Sequence, residues 1–586
     1  MKDFLKYVVA TVLGLIVAGT LAFLVGFVML ISTAVSGNQK PMVTEGSVLH
    51  LQLTGGIVEC AEENPMLELL GETALEEQGL DDLLKAVKVA KFNDKIKGIY
   101  LESGLLGADF ASLEELRKAL VDFKESGKFL LAYGDNYTQG AYYVASVADY
   151  VLLNPSGMLD WHGIASQPIF YKELLEKVGV KMQVFRVGTF KSAVEPFTNT
   201  SMSDPNREQV QSYISDIWNV VCRDVAASRG LPVDTLNAYA DNYVSLAATE
   251  DYCRLQLVDS LAYVDGVRDK LRTLAETEKV NLLTVKEVCQ LAEEDTHSDK
   301  VAVYYAYGSI VDESTSSAFG GEAEIVGSTV VEDLDKLAND ESVKAVVLRV
   351  NSGGGSAFAS EQMWRAVQLL KAKKPVVVSM GDLAASGGYY MSCGADLIVA
   401  DSTTLTGSIG IFGMVPDLSG LLTDKLGLHF DMVKTNQSSD FGSTGRPFNP
   451  AESAAMQAYV ERGYDLFLKR VAEGRGMTVE AVDSIAQGRV WTGHQALGIK
   501  LVDRLGTLDD AIEEAAALAK LESYGVTSAP APAQWFENLL DAVKSDYMEA
   551  RVKSMLGTYY EPLRFVYGVE KGSFLQAKMP YEPNLK

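Results

Sequence analysis

The stretch Lys344-Ala-Val-Val-Leu-Arg-Val-Asn-Ser-Gly-Gly-Gly-Ser356 joins a continuous apolar run to a glycine loop. This pattern is typical of a strand that is buried on both faces and of the turn that leaves it. A related stretch starts 247 residues earlier, at Lys97. An alignment without gaps pairs residues 97–164 with residues 344–411 and matches lysine, glycine and tyrosine positions along its length. The chain is therefore predicted to contain two copies of one module.

The second copy shows the patterns of both strands and helices. Val343–Val350 and Pro375–Met380 are apolar runs of strand length, whereas Ser360–Lys371 repeats apolar residues at helical spacing. Short elements lie around them, namely a glycine loop at Asn351–Ser356, a turn at Gly381–Ala385, a helix starting at Ser386–Cys393 and a strand at Asp396–Ala400. Strand, loop, helix and strand at this pace predict an α/β fold with a parallel sheet and crossover helices.

The composition excludes several classes of protein. A chain of 586 residues exceeds a single core, so two large domains are expected. Its net charge of −26 argues against nucleic-acid binding, because a basic face is needed to displace counterions from phosphates. The five cysteines form no C-x-x-C pair and have no histidine at zinc-site spacing, so neither a disulfide framework nor a metal site is predicted. No motif indicates a cofactor.

The N-terminus carries a candidate membrane anchor. Residues 7–35 form an apolar run without a charged residue, and about 20 apolar residues are enough to cross a bilayer. A cleaved signal peptide is the alternative, but its apolar core is normally about 7–15 residues long. Lys2 and Lys6 precede the run, so the positive-inside rule places the N-terminus in the cytoplasm and the remainder outside the membrane.

Five segments describe the predicted domain organisation. They are residues 1–36 (anchor and flanks), 45–275 (first repeat), 276–300 (linker), 301–525 (second repeat) and 526–586 (a Pro/Ala linker and a helical tail). Long helical stretches are expected in each repeat, from Asp204 to Arg272 and from Pro450 to Arg475. The tail contains an amphipathic pattern from Phe536 to Tyr547.

The two copies differ where the second buried strand ends. Ser386, in Ala384-Ala-Ser-Gly-Gly388, faces Gln139 of the first copy. A serine at a helix N-terminus is usually an N-cap, but the glycines behind it let the N–H of Gly387 point at an oxyanion. In the glycine loop, the N–H groups of Gly354 and Gly355 are further candidate oxyanion donors. A tight turn without this role is the alternative for the loop.

Lys191 is a candidate base in the first copy, at a position where the second copy has Ser439. It must be neutral to accept a proton, so burial must lower its pKa from about 10.4. The hydroxyl groups of Thr189 and Ser192 are expected to orient its amine. The five histidines stand in unrelated contexts, and no Ser-His-Asp triad is recognisable. A nucleophile in one copy and a base in the other predict one composite site.

These motifs resemble those of the signal peptide peptidase A (protease IV) family in its long form. The resemblance covers nearly the whole chain to about residue 515, although Gly353 stands where the family usually has proline. It is carried by five segments, which are Gly188–Phe197, Ala385–Tyr389, Asn351–Ser356, Leu405–Gly410 and Gly488–Gly493.

The resemblance implies a tandem Clp-protease/crotonase-like fold of repeated β-β-α units behind an N-terminal transmembrane helix. It implies Ser386 as nucleophile and Lys191 as general base. It also implies a homotetramer in the bacterial inner membrane, with extracytoplasmic catalytic domains. Hydrophobic peptides, above all released signal peptides, are the implied substrates.

Two other functions remain open at this point. A crotonase-type enzyme such as an acyl-CoA hydratase also holds an oxyanion with glycine loops, but its chemistry usually depends on glutamate. A proteolytically inactive scaffold that holds membrane peptides is the non-enzymatic alternative. The presence of both Ser386 and Lys191 argues against it.

Overall fold

The structure is a computed structural model that describes residues 41–61, 77–293, 295–314, 323–443, 445–530 and 576–579. The predicted span at residues 7–35 and the amphipathic tail pattern at Phe536–Tyr547 lie outside this part. Within the described ranges, every helix is too short or too polar to cross a membrane.

The first half of the chain alternates strands and helices. Its strands are β1 (Ser47–Val58), β2 (Gln78–Gly79), β3 (Ile96–Gly107), β4 (Phe129–Tyr137), β5 (Tyr150–Leu159), β6 (Lys181–Arg186), β7 (Ser260–Leu261) and β8 (Asn281–Leu283). Its helices are α1 (Leu80–Phe92), α2 (Phe110–Lys124), α3 (Gln139–Ala145), α4 (Lys172–Val178), α5 (Glu195–Thr198), α6 (Asp204–Arg229), α7 (Val233–Asp241), α8 (Thr249–Arg254), α9 (Val264–Leu274) and α10 (Val285–Cys289). A 3₁₀ turn spans Val244–Leu246.

The second half repeats this order. Its strands are β9 (Lys300–Tyr307), β10 (Ser309–Val311), β11 (Glu324–Val326), β12 (Val343–Ser352), β13 (Gly354–Ser356), β14 (Val376–Ala385), β15 (Leu397–Ala400), β16 (Leu405–Gly407), β17 (Phe412–Asp417), β18 (Val490–Thr492), β19 (Arg504–Leu505), β20 (Gly525–Ala529) and β21 (Gln576–Lys578). Its helices are α11 (Gly327–Asn339), α12 (Ala357–Lys371), α13 (Gly387–Ser392), α14 (Pro450–Arg475), α15 (Val479–Ile485), α16 (Gly493–Gly498) and α17 (Leu508–Leu518). A π-helical turn spans Gly420–Lys425.

The predicted duplication is confirmed by matching elements. Helices α1 and α11 start and end 247 residues apart, and so do α2 and α12. The long helices α6 and α14 have equal length and keep the same spacing to within one residue. The chain is therefore an α/β protein made of two similar halves.

Each half is built on a mainly parallel sheet. The first sheet has the strand order β2-β1-β3-β4-β5-β7, with β8 beside β1. The second has the order β18-β16-β14-β12-β9-β20, with β15 beside β14, and only β18 pairs antiparallel within it. On β12, Val346 and Leu348 face one apolar cluster while Val347 faces another, under α17. Strand β12 is apolar throughout because both of its faces are covered.

Three short segments differ from the sequence-based expectation. The turn predicted at Gly381–Ala385 is wrong: β14 continues to Ala385 because its end pairs with β16. The predicted loop at Asn351–Ser356 contains the ends of β12 and the strand β13. Within the predicted linker, residues 276–300, β8 joins the first sheet and α10 follows it.

A third, mixed sheet joins the two halves. Its strand order is β11-β10-β13-β21-β17-β6, in which β6 comes from the first half and the other strands from the second. Strand β6 pairs antiparallel with β17 along its whole length, from Lys181 beside Asp417 to Arg186 beside Phe412. This pairing fixes where the chain after Arg186 enters the second half.

A buried ionic layer also holds the halves together. The guanidinium of Arg349 on β12, 1% exposed, donates to Glu59 at 2.8 Å, to Glu115 at 2.6 Å and to Ser379 at 3.0 Å. Glu115, on α2, also accepts from the N–H of Leu508 at 2.7 Å. Burial disfavours the charged guanidinium, but the two carboxylates outweigh it and hold the pKa of Arg349 well above its usual range.

A second cluster of the layer lies beside the first. The ammonium of Lys118 on α2 lies 2.8 Å from both Glu114 and Asp401. Glu114 in turn accepts from the backbone N–H of Thr403 at 3.0 Å and from its hydroxyl at 2.7 Å. Helix α2 therefore packs against the second half through charges whose partners lie across the interface.

Replacing Arg349 by methionine should destabilise the whole chain, since it leaves the carboxylates of Glu59 and Glu115 buried without their cation. We expect a loss of about 3–5 kcal/mol in the free energy of unfolding. Urea unfolding followed by tryptophan fluorescence measures it. Lys336→Ala, which removes an exposed ion pair with Asp333, is the control and should leave the midpoint unchanged. Equal midpoints for both variants would contradict the role of the ionic layer.

Candidate active site

Ser386 lies at the junction between β14 and α13. Its backbone has φ 54° and ψ −110°, a left-handed conformation that is costly for a residue with a side chain. Its N–H donates to the carbonyl of Gly407 at 2.8 Å, and the residue is fully buried. The side chain makes no capping bond to α13. Ser386 therefore stands at the N-cap position of α13, where its carbonyl accepts from the N–H of Tyr390 at 2.8 Å, but its hydroxyl does not cap the helix.

Lys191 reaches this hydroxyl from the other half of the chain. Its Nζ lies 2.8 Å from Oγ of Ser386, 3.0 Å from the carbonyl oxygen of Ser408 and 3.1 Å from Oγ of Ser408. The predicted composite arrangement is thus present as geometry, with one side chain from each repeat. Ser408 was not among the predicted site residues.

The amine of Lys191 is removed from water. The residue is 0% exposed, and burial holds the pKa of Lys191 well below its usual range. Its hydrogen-bond partners in the described chain are two hydroxyl groups and one carbonyl, without a carboxylate that would stabilise the ammonium form. A neutral amine can act as a proton acceptor, which an ammonium cannot.

Residues 187–194, the loop that carries Lys191 (the lysine loop), approach the second half closely, and glycines permit this approach. Gly488 has φ 81°, and a Cβ at this position would lie 2.6 Å from the backbone of Lys191. Gly188 has φ 102°, and a Cβ there would lie 2.4 Å from the carbonyl oxygen of Gln487. The N–H of Phe190 donates to that carbonyl at 2.9 Å. Side chains at either glycine would push the lysine away from Ser386.

The two hydroxyl groups expected to orient the amine have other partners. Thr189 donates to the side chain of Gln487 at 2.9 Å, at an exposed position. Ser192 donates to Asn206 at 2.8 Å and accepts from Gln209 at 2.9 Å, which ties the lysine loop to α6. The structure therefore assigns the contact with the amine to Ser408. The only sequence signal for it was its place within the family-like segment Leu405–Gly410.

The candidate oxyanion donors lie on two adjoining elements. Gly354 and Gly355 belong to β13, and Gly387 is the first residue of α13. Helix α13 lies close to the chain just before β13, since a Cβ at Gly388 would lie 2.6 Å from the carbonyl oxygen of Ser352 at the end of β12. The N–H of Gly354 donates to Oγ of Ser352 at 3.1 Å.

In the first half, Gln139 occupies the position equivalent to Ser386. Its side-chain oxygen accepts from the N–H groups of His162 and Gly163 at 3.0 Å, and its amide donates to the carbonyl of Gly163 at 3.0 Å. Helix α3 here has an ordinary cap, since Thr138 accepts from the N–H of Ala141 at 3.3 Å. At this position the first repeat thus has neither a serine nor the strained turn.

The histidines are placed away from this chemistry. All five lie in the described part of the chain, and none of them hydrogen-bonds to Ser386. Four have carboxylate partners elsewhere, which are His50 with Glu102, His162 with Asp160, His297 with Asp295 and His494 with Asp216.

The sequence matches Peptidase family S49 over residues 122–278 and 368–522. The chain belongs to this family. It is 38% identical to Protease 4 of Salmonella typhi over 509 residues, which cover 83% of this chain and 81% of that protein. Protease 4 of Haemophilus influenzae is 36% identical over 518 residues, or 85% and 83% of the two chains. The chloroplastic serine protease SPPA of Arabidopsis thaliana is 30% identical over 478 residues, or 80% and 69%.

These relatives confirm the predicted enzyme class. The S49 chain is a serine peptidase, a hydrolase of peptide bonds, and the crotonase and scaffold alternatives are wrong. A ClpP1 variant from Listeria monocytogenes matches 36% of the chain at 12% identity with a TM-score of 0.24. This likeness is too low to test the Clp-protease/crotonase-like topology, which stays a prediction.

The depressed pKa of Lys191 should make stability depend on pH. Between the lowered folded pKa and the unfolded value of about 10.4, the unfolded S49 chain binds more protons, so stability rises with pH. As pH rises, the free energy of unfolding of the parent minus that of Lys191→Met should increase by up to about 1.4 kcal/mol per pH unit. It should become constant above about pH 10.4.

Urea unfolding at a series of pH values measures this difference. Lys469→Met removes an exposed lysine and serves as the control. A pH-independent difference for Lys191→Met would mean that the buried amine is charged in the folded peptidase.

Proposed function

We propose that this serine peptidase is a membrane-anchored endopeptidase with a Ser/Lys dyad, in which Ser386 is the nucleophile and Lys191 the general base. The proposal rests on one observation, the 2.8 Å separation between the buried amine of Lys191 and the hydroxyl of Ser386. Serine is a weak nucleophile until an adjacent base removes its proton. In the described part of the chain, Lys191 is the basic side chain in hydrogen-bond contact with this hydroxyl.

The three contacts of the amine fit a proton acceptor. A neutral amine has two N–H groups and one lone pair. If the N–H groups donate to the carbonyl and hydroxyl oxygens of Ser408, the lone pair is left to accept from Ser386. Ser408 is then a positioning residue that fixes which face of the amine meets the nucleophile.

The reaction follows from this arrangement. As Oγ of Ser386 attacks the scissile carbonyl carbon, its proton passes to Nζ of Lys191. The tetrahedral intermediate collapses when the resulting ammonium gives that proton to the leaving amine, which breaks the peptide bond. Water then attacks the acyl-enzyme ester while Lys191 accepts its proton. Lys191 returns that proton to Oγ of Ser386 as the ester C–O bond breaks and the acid product leaves.

The negative charge that develops on the carbonyl oxygen in the intermediate must be stabilised by hydrogen-bond donors. We assign this role to the N–H of Gly387 together with that of Gly354 or Gly355. Gly387 opens α13, whose N-terminal end favours negative charge. The N–H of Gly354 becomes available only if its bond to Ser352 opens.

The substrates we propose are hydrophobic peptides, in particular released signal peptides. The buried apolar side chains of Leu405 and Val490 lie in one cluster with Ala385, the neighbour of Ser386, so the surroundings suit an apolar peptide. Resemblance to the long-form family supports the same substrate class.

The setting of the enzyme is part of the proposal. Residues 7–35 would anchor it in the bacterial inner membrane, with a cytoplasmic N-terminus and extracytoplasmic catalytic halves. We further propose a homotetramer. The segment Leu426–Val433 exposes several large apolar side chains, with Val433 fully exposed, and such surfaces are usually covered by a partner.

Ser386→Ala should abolish hydrolysis of an apolar fluorogenic peptide while the protein still folds. Loss of the nucleophile should lower kcat by several orders of magnitude, as it does in other serine hydrolases. Gln139→Ala is the matched control at the equivalent position of the first repeat and should keep the parent rate. A fluorophosphonate should label the parent at Ser386, as mapped by peptide mass. Parent-like turnover by Ser386→Ala would exclude this residue as the nucleophile.

Lys191→Arg should be as inactive as Lys191→Ala, because a guanidinium remains protonated and cannot accept a proton. The parent rate should fall as pH decreases through the lowered pKa of Lys191, since protonation of the amine removes the base. Steady-state pH profiles of kcat/KM test both points. Lys469→Arg is the control for an exposed lysine. Substantial activity in Lys191→Arg would mean that the position supplies only positive charge.

A further inference from the structure

Gln209 on α6 is a buried amide that contacts both halves of the chain. It is 1% exposed, and its Nε2 donates to the carbonyl of Phe190 at 3.0 Å and to Oγ of Ser192 at 2.9 Å. Its Oε1 accepts from the N–H of Val490, in the second half, at 3.2 Å. Phe190 and Ser192 are the chain neighbours of Lys191. One side chain thus holds the lysine loop on both sides of the proposed base and joins it to the second half.

The partners of Gln209 determine which way its amide points. The carbonyl of Phe190 can only accept a hydrogen bond, and the backbone N–H of Val490 can only donate one. Nε2 must therefore face the lysine loop, and Oε1 must face the second half. Nε2 also lies 3.1 Å from Oδ1 of Asn206, which accepts from the hydroxyl of Ser192 at 2.8 Å. The position needs donors at one end of a side chain and an acceptor at the other, which an amide provides and an apolar side chain of the same length does not.

The bonds of Gln209 complete a circuit of hydrogen bonds around Lys191. The N–H of Val490 donates to Gln209, and the carbonyl of Arg489, one residue earlier, accepts from the N–H of Ser408 at 2.7 Å. Ser408 in turn contacts Nζ of Lys191 through its carbonyl at 3.0 Å and its hydroxyl at 3.1 Å. The circuit therefore holds the lysine at both ends, with the backbone on the side of Gln209 and the amine on the side of Ser408.

We propose that Gln209 is a positioning residue for peptide hydrolysis, which holds the lysine loop against the second half so that the amine of Lys191 meets the hydroxyl of Ser386 away from water. Gln209 acts through Phe190 and Ser192, since its own hydrogen bonds in the described structure include neither reacting group. The inference rests on the proposed function, because it takes Lys191 as the general base.

Loss of these bonds should move the lysine loop. Without Gln209, the carbonyl of Phe190 and the N–H of Val490 would each lose this partner, which is unfavourable away from water. A shift of the loop that restores hydrogen bonds to water also brings water towards the amine of Lys191, and hydration favours its ammonium form. A displacement of about 1 Å in an active site can lower the rate about 100-fold. A slower reaction and a base that is protonated at higher pH are therefore the two expected signs.

Gln209→Met in the full chain is the first test, because methionine has a similar length and no donor. For an apolar fluorogenic peptide, kcat should fall about 100-fold while KM stays within about twofold, since Gln209 acts on the base and not on substrate binding. The acid limb of the kcat/KM profile, where the rate falls as pH decreases, should move to higher pH. Steady-state kinetics at a series of pH values measure both. An unmoved acid limb in the folded variant, whatever its kcat, would overturn the proposal.

Two control variants lie on the same helix. Gln211→Met removes an exposed amide that donates to Ser215 at 2.8 Å, and it should match the parent in kcat and in its acid limb. Ser212→Ala removes a bond of 3.1 Å from Gln495 of the second half to α6, which does not involve the lysine loop, and it should leave the acid limb in place. An equal shift in Ser212→Ala would assign the effect to docking of the halves in general and overturn the specific role of Gln209.

Ser192→Ala keeps the experiment decisive if Gln209→Met does not fold, which thermal unfolding followed by circular dichroism shows. This variant removes the hydroxyl that accepts from Gln209 and donates to Asn206, and it leaves the bond between Gln209 and Val490 in place. The acid limb should move in the same direction by a smaller amount, because the bond to Phe190 remains. In that case an unmoved acid limb in Ser192→Ala would overturn the proposal.

Lys191→Ala separates this inference from the proposed function. If Lys191→Ala hydrolyses the peptide at the parent rate, the proposed function fails. If Lys191→Ala is inactive while folded Gln209→Met keeps the acid limb of the parent, only the role of Gln209 fails. An inactive Lys191→Ala together with a shifted acid limb in Gln209→Met supports both.

Discussion

The burial of one amine is the constraint on which the site depends. Lys191 has no exposed surface, and the hydrogen-bond partners of its amine in the described structure are the hydroxyl groups of Ser386 and Ser408 and one carbonyl. An ammonium without a carboxylate partner is costly in such a place, which favours the neutral form. This environment of the amine is created only when the two halves dock.

Two kinds of contact keep the halves in that position. Pairing of β6 with β17 brings the first half to the edge of the site along a defined register. Arg349, buried between Glu59 and Glu115, adds charges that are satisfied only in the correct docking. Buried ion pairs contribute little net stability. Moving one partner away is nevertheless strongly destabilising, because it leaves a buried charge without its counterion. The relative position of the two halves is thus determined more by the free-energy penalty of unpaired buried charges than by the apolar area of the interface.

Much of the fold was predictable because its signals are local. Val347 and its neighbours form a buried run, and the spacing of the two copies gives the repeat, so the α/β class and the pairing of Ser386 with Lys191 followed. The partners of the amine were not predictable in this way. Thr189 and Ser192 are close to the lysine in sequence, but Ser408 is close in space through a left-handed turn. Strand β21 was also missed, because it pairs with residues more than 160 positions away.

The separation of Ser386 and Lys191 has a consequence for biosynthesis. The two residues lie 195 positions apart, on different repeats. The first repeat has Gln139 at the position of Ser386, and the second repeat has Ser439 at the position of Lys191. Synthesis proceeds from the N-terminus, and domains generally fold as units as they emerge. On the proposed assignment, a ribosome-bound chain that carries only the first repeat has no nucleophile. With the proposed dyad, proteolytic competence requires both repeats to be made and joined, so partial products of synthesis are inactive.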